Sequence, residues 1–272
     1  MMINEAILSQ YQKLNYTLSL ERERELIAEY IYSTNSLEGN QLTLAQTKSI
    51  IENGTISGKN IKTKDLLEQR GTYKALMFML NAVISKEPLT VDFIKKLNWL
   101  SIGSLFQDDY YLSYKQHGQK YGDFKVKKNK IQITLSGGEK FNIEPLSTPE
   151  NVELNMKTLV SQINNSEKNV VEKAAFLAQE IWLHQPFIDG NKRTARLLIN
   201  FLTMKEGSPL FPYTEKGIYF NDMLIEQYVS KKSGLIQDFI INALETQIQK
   251  IISVFSNENQ QQKTFKGYRF ML

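Results

Sequence analysis

Apolar residues recur at every third and fourth position along most of this chain, and that period yields to strand-like alternation only between about residues 110 and 145. A chain so patterned folds as packed helices with room for one short hairpin. "LERERELIAEYIYSTNSLEGN" spaces Leu20, Ile27, Tyr30 and Ile31 along one face and stops at Gly39. Thr43 reads as the N-cap of "LAQTKSIIEN", which ends at Gly54, and Thr90 as the cap of "TVDFIKKLNWLSIGSLF". Between them, "TKDLLEQRGTYKALMFMLNAVI" reads as a long, mostly buried helix. In "FKVKKNKIQITLSGGEKFNIEPL", β-branched alternation flanks Ser136, Gly137 and Gly138, which predicts a hairpin. Helices resume in "TPENVELNMKTLVSQIN", with Thr148 and Pro149 as an Ncap–N1 pair. "EKAAFLAQEIWLHQ" and "KRTARLLINFLTMKEG" follow, and two C-terminal helices come after the break at Gly207, Ser208 and Pro209. The tail "SNENQQQKTFKGYRFML" begins polar and is predicted to fray. The expected fold class is mainly α, a helical bundle with a short β-hairpin, and no internal repeat is visible.

Composition narrows the chemistry. The absence of cysteine removes disulfides, thiolate metal sites and thiol nucleophiles, and it fits a reducing compartment. With only His117 and His184 available, a multi-histidine zinc site is excluded. A formal net charge of +4 over 272 residues is too modest to argue for nucleic acid. The lysines of "KVKKNK", 125–130, read instead as a solvated hairpin edge that blunts strand pairing. The start carries Glu5 and lacks a long apolar stretch, and "ALMFMLNAVI" is too short to span a bilayer. The expectation is a cytoplasmic protein with no membrane or nucleic-acid partner, export as an effector being left open. His117 lies in a polar loop, and Trp99 and Trp182 read as core. Tyr219 and Tyr228 are placed to approach a nucleotide base, with core packing the default. No Ser–His–Asp or Cys–His arrangement is evident.

Chemistry concentrates in "LHQPFIDGNKRTARLL", residues 183–198. Pro186 disfavours helix at Gln185, so one helix should end near His184 or Gln185. Asp189, Gly190 and Asn191 form a tight turn, and Asn191 can cap the helix that follows. That helix opens on Lys192 and Arg193, where each cation opposes the macrodipole by about 0.3–1 kcal/mol. Helix formation does not favour this arrangement, but an anion would, since backbone N–H groups, the dipole and both cations converge on it. Arg196 shares nearly the same face as Arg193, and Asp189 beside them can bind a divalent metal that bridges phosphates.

"TNSLEGN", residues 34–40, holds the converse misfit. Glu38 sits at a helix C-terminus, just before the C′ glycine Gly39, where an acid again opposes the dipole. A salt bridge from Glu38 to Arg196 or Arg193 would resolve both misfits.

These two stretches resemble the Fic (Fic/Doc) family. Its motif runs His-Pro-Phe-x-Asp/Glu-Gly-Asn-Gly/Lys-Arg-x-x-Arg, and residues 185–196 read "QPFIDGNKRTAR". "TNSLEGN" is similar to the family's inhibitory-helix signature, Ser/Thr-x-x-x-Glu-Gly/Asn, with Thr34 and Glu38 in the named places. The resemblance implies a Fic-fold bundle that transfers AMP from ATP to a hydroxyl of a target protein. Asp189 would bind Mg²⁺, and Gly190, Asn191 and Lys192 would form the anion nest. Arg193 would hold phosphate oxygens and Arg196 the γ-phosphate, while Glu38 would pair with Arg196 and block that pose. A hairpin near 124–143 would be the flap on which the target docks. The implied division is an N-terminal region with the inhibitory helix at 1–89, a Fic core at 90–210, C-terminal helices at 211–255 and a tail at 256–272. Removal of AMP by a glutamate-directed water, and phosphotransfer of the Doc type suggested by Lys192, are further activities of the family. Homo-oligomerisation is left open.

One departure bears on the chemistry. The family's histidine is the general base, and its position holds Gln185. An amide has no useful basicity near pH 7, and losing a positioned base typically costs about 10²–10⁴-fold in rate. His184 is one residue early and by default points about 100° away on a helix, unless a one-residue insertion shifts it into place. Substitution at Gln185 is the preferred reading. A non-catalytic module that binds a nucleotide or a partner is the alternative.

Overall fold

The computed structural model describes residues 5–13, 20–58, 61–107, 112, 115–120, 122–134, 138–213 and 220–268. Its helices are α1 (Glu5–Lys13), α2 (Leu20–Ser36), α3 (Leu44–Asn53), α4 (Thr63–Ile84), α5 (Val91–Ile102), α6 (Val152–Asn165), α7 (Val170–His184), α8 (Asn191–Lys205), α9 (Phe220–Ser230) and α10 (Leu235–Tyr268). A 3₁₀ turn, Gly103–Gln107, extends α5. The fold is mainly α, with one two-stranded hairpin. Helix α10 carries its backbone past residue 256 as far as Tyr268. Among the described residues, no helix is long and apolar enough to cross a membrane.

Local signals set most boundaries. Thr43 and Gln46 form a reciprocal capping box at α3, and the Thr90 hydroxyl accepts the Phe93 N–H at α5. The start of α6 differs from expectation. The Asn151 side chain accepts the Thr148 N–H (2.8 Å), closing a turn over 149–151, and the regular helix begins at Val152. Thr148 and Pro149 therefore stand one turn ahead of the helix they were expected to open.

Helices α7 and α8 pair at the centre, α8 packing on α4 and α5 and α7 on α6 and α10. Phe93 of α5 stacks against Phe201 of α8 (4.4 Å) and Phe78 of α4 (5.5 Å), tying three helices with aromatic rings. Gly71 lets α4 meet α5, because a Cβ there would lie 2.2 Å from the Ser101 carbonyl oxygen. A second knot centres on Tyr213, whose ring meets those of Tyr30, Phe211, Phe220 and Phe239. It joins α2, α9 and α10 to the segment after α8. Trp182 is buried, whereas Trp99 is only half-buried against a small satellite cluster.

The hairpin pairs β1 (Ile131–Thr134) with β2 (Lys140–Ile143), placing Ile131 opposite Ile143. Ile131 and Ile133 face the core while Gln132 and Thr134 face out, as period 2 requires. Ser136 and Gly137 lie outside the described residues. The base of the hairpin corrects one expectation: Lys125 is not a solvated edge residue but is 2% exposed. Its ammonium donates to the His184 carbonyl (3.1 Å) and the Asn129 side chain (2.8 Å), and its N–H donates to the Pro186 carbonyl (2.9 Å).

Candidate functional site

The α7–α8 corner is built by backbone geometry. Helix α7 ends at His184, and Gln185 adopts the left-handed conformation (φ 44°, ψ 58°) with its N–H on the Ile181 carbonyl. Gly190 also lies at positive φ (76°), and an added Cβ would come within 2.7 Å of Ile102. It is Gly190, rather than Asn191, that takes the cap position of α8. Asn191 is the first helical residue, and its amide reaches back to pair with both the N–H and the carbonyl of Phe187. Asn98 of α5 pins the turn from below, donating to the Asp189 carbonyl (2.9 Å) and the Thr194 hydroxyl (3.1 Å).

His184 and Gln185 part company at this corner. His184 Nδ1 lies 2.6 Å from the Ser147 hydroxyl, and its Nε2 lies 3.3 Å from Glu180 one helical turn back. This is a Ser–His–Glu line that the sequence did not reveal. Ser147 is 3% exposed and its hydroxyl also accepts from Asn155, so the line is packing rather than an accessible nucleophile. The Gln185 side chain instead donates to the Trp182 carbonyl (2.7 Å) and accepts from Asn191 (2.9 Å). Gln185 therefore touches Asn191 at the start of α8, and His184 faces Ser147 ahead of α6.

Acids meet the cations on the other side of the corner. Helix α2 ends at Ser36 and tightens through Glu38 N–H to Asn35 O and Gly39 N–H to Ser36 O, with Gly39 at φ 85°. One Glu38 oxygen lies 2.9 Å from Arg196 and the other 3.1 Å from Lys192. The pairing with Arg196 is as expected. Arg193 does not pair with Glu38 but lies between Glu68 of α4 (3.3 Å) and Asp189 (3.5 Å). Arg196 is fully buried and donates as well to the Thr34 hydroxyl (2.6 Å), the Thr34 carbonyl (2.8 Å) and Asn221 of α9 (3.0 Å). Asn221 in turn donates to the Leu37 carbonyl (3.2 Å) at the end of α2. Burial opposes ionisation of Glu38, but the field of Arg196, Lys192 and Arg193 outweighs it and holds the pKa at about 2.

Asp189 is the residue with metal-binding character. Its side chain is 40% exposed, one oxygen accepts the Gly190 N–H, and the other faces Arg193. Among the described residues no group of three or more His, Asp or Glu could hold a metal on its own. A single exposed carboxylate suits Mg²⁺, which is commonly held by one or two carboxylates together with phosphate oxygens and water.

Tyr228 packs edge-on against Trp182 (5.8 Å), and Tyr219 lies outside the described residues. His117 is an exposed turn residue. Sequence reasoning missed Asn98, Glu68 and Asn221. Glu68 carried a faint signal, as an acid within a helix expected to be mostly buried.

The Fic/DOC family matches residues 88–203, which span α5, the hairpin and the whole corner. Those residues form a Fic domain. A crystal structure of a Fic domain containing signaling protein from Bacteroides thetaiotaomicron has the same fold (TM-score 0.75), at 26% identity over 93% of this chain and 96% of that one. Fic-1 from Caenorhabditis elegans, residues 134–508, superposes with a TM-score of 0.69 at 22% identity, covering 93% of this Fic protein and 72% of that chain. In sequence, protein adenylyltransferase fic-1 of Caenorhabditis elegans is 28% identical over 90% of this chain, and protein adenylyltransferase Fic of Drosophila ananassae is 28% identical over 73%. The chain spans 47% and 37% of the lengths of those two relatives.

Proposed function

We propose that this Fic protein is an adenylyltransferase that moves AMP from ATP to a protein hydroxyl, held in check by Glu38 and slowed by Gln185. The observation that carries the reading is the Glu38 carboxylate bridging Arg196 and Lys192 over the start of α8. Cations placed against a helix dipole suit a polyphosphate, and Glu38 occupies the charge that the polyphosphate would claim. In the forward step, the target oxygen attacks the α-phosphorus, the bond to pyrophosphate breaks, and the hydroxyl proton passes to solvent water. The N-terminal amides of α8 with Lys192 and Arg193 bind and orient the phosphates, and Arg196, once released by Glu38, holds the terminal one. Mg²⁺ held by Asp189 would neutralise charge on the phosphate oxygens. The Gln185 amide orients Asn191 and takes no proton, so the step runs about 10²–10⁴-fold below that of a histidine enzyme. The target protein docks along the hairpin, and the site is the same for an AMP-removing or Doc-like phosphotransfer reaction.

The second reading, a nucleotide- or partner-binding module without catalysis, draws on Gln185 being hydrogen-bonded at both ends of its amide. Calorimetry with ATP and Mg²⁺ tests the shared premise: Glu38→Gly is expected to bind ATP more tightly than wild type, and no binding by either rejects both readings. The Glu38→Gly/Gln185→His variant is then expected to label itself or a target from ATP carrying its label on the α-phosphorus. Label arriving only from the γ-phosphorus would identify phosphotransfer. ATP binding without transfer would leave the binding module.

A further inference from the structure

Helix α4 presents a buried polar stripe to the end of α2. Asp65, Glu68, Gln69 and Thr72 are all less than 7% exposed, at positions where helices usually bury apolar side chains. Glu68, Gln69 and Thr72 are engaged through their side chains, and Asp65 through its backbone carbonyl. The Asn40 amide donates to Glu68 (3.0 Å) and to the Asp65 carbonyl (2.9 Å), while its oxygen accepts from Gln69 (3.2 Å) and from the Leu42 N–H (3.1 Å). Gln69 also accepts from Asn35 (3.3 Å), whose own oxygen accepts from the Thr72 hydroxyl (3.0 Å). The second Glu68 oxygen holds Arg193.

Such networks specify one geometry when every member is satisfied, and they loosen when one is cut. Two consequences meet at Glu68. It orients the guanidinium of Arg193 from the buried side. It also anchors Asn40, two residues beyond Glu38, so it holds the turn that carries the inhibitory carboxylate.

We propose that Glu68 is a positioning residue that couples the α2 terminal turn to Arg193, setting phosphate affinity and the placement of Glu38 together. This inference rests on the phosphate-site reading above for Arg193, but its link to the α2 turn stands apart from any nucleotide. Glu68 acts through Arg193 and Asn40 and touches no phosphate. A buried charge-assisted hydrogen bond is strong enough that its loss shifts affinity by about tenfold.

The test uses Glu68→Gln, which keeps shape and loses charge. Without nucleotide, amide exchange across residues 37–42 is expected to quicken by about tenfold, as a local opening made easier; unchanged exchange there overturns the coupling. In a Glu38→Gly background, adding Glu68→Gln is expected to weaken ATP binding about tenfold while the thermal midpoint falls by only about 3–6 °C, leaving the fold intact. Equal ATP affinity in the two variants overturns the role toward Arg193. If Glu38→Gly itself binds no ATP, the phosphate-site reading fails, and the exchange result alone decides whether Glu68 holds the turn. Asn40→Ser cuts the same link from the α2 side, and it is expected to quicken the same amides if Glu68→Gln does not fold.

Discussion

At Gln185 and His184, neighbouring side chains answer to different parts of the molecule, and exchanging their roles would require rebuilding the corner. His184 is committed on both ring nitrogens to Ser147 and Glu180, so it should contribute stability and no catalysis. His184→Ala in the Glu38→Gly/Gln185→His background is expected to leave AMP labelling within about twofold. It should cost about 1–2 kcal/mol in denaturant unfolding, since the buried Ser147 hydroxyl loses His184 and keeps only Asn155. Loss of labelling would return the base to His184. The Glu38 latch has its own pH signature. With the folded pKa at about 2 against an ordinary 4.5, the native state favours the carboxylate. Its contribution is complete above about pH 4.5 and disappears as pH falls toward 2. The difference in thermal midpoint between wild type and Glu38→Gln is therefore expected to be constant from pH 7 to 5 and to shrink below that. The Glu38–Arg196 pair therefore does not respond to pH in the neutral range.

Among the elements, the hairpin base and the α7 terminus behave as one piece. Lys125 and Asn129 together hold the carbonyls of His184, Gln185 and Phe187, so the hairpin base is anchored to the turn between α7 and α8. Burial lowers the Lys125 pKa to about 8 against the opposing pull of Glu144. The unfolded chain then binds more protons than the native one between about pH 8 and 10.5, and the Lys125 contribution to stability rises with pH across that window. Thermal melts of wild type and Lys125→Met should show wild type gaining on the variant from pH 8 to 10; parallel curves would put the ammonium in contact with solvent. Legibility in the sequence follows the range of the signal. The caps at Thr43 and Thr90 and the stop at Pro186 act within three or four residues and could be read directly. The Glu38–Arg196 pair was legible over 158 residues only because each partner broke a local rule at a helix end. Asn98, Lys125 and Glu68 break no local rule that names their partners, which lie 91, 59 and 125 residues away. Neutral amides and snorkelling lysines look alike in sequence whether they face water or a carbonyl. Asn191 was misplaced by one position because Gly190 can adopt the left-handed geometry directly.

For the molecule as a whole, Tyr213 is where the N-terminal and C-terminal helices are joined behind the site. Its hydroxyl donates to the Arg196 carbonyl (2.9 Å), and its ring contacts side chains of α2, α9 and α10. Tyr213→Ala is expected to cost about 3–5 kcal/mol, as for other buried aromatic truncations. A drop in thermal midpoint of about 10 °C by calorimetry would agree, at roughly 2–4 °C per kcal/mol for a chain of this size. A fall of only 1–2 °C would mean the two halves are joined elsewhere. The order of the chain adds a consequence for synthesis. Thr34 and Glu38 precede Arg196 by more than 150 residues, so a ribosome delivers the acid and hydroxyl long before the arginine they hold. When α8 emerges and first assembles its cationic start, α2 is already available to close on it. A nascent copy thus passes through no stage in which Arg196 is present and the acid that pairs with it has yet to be made.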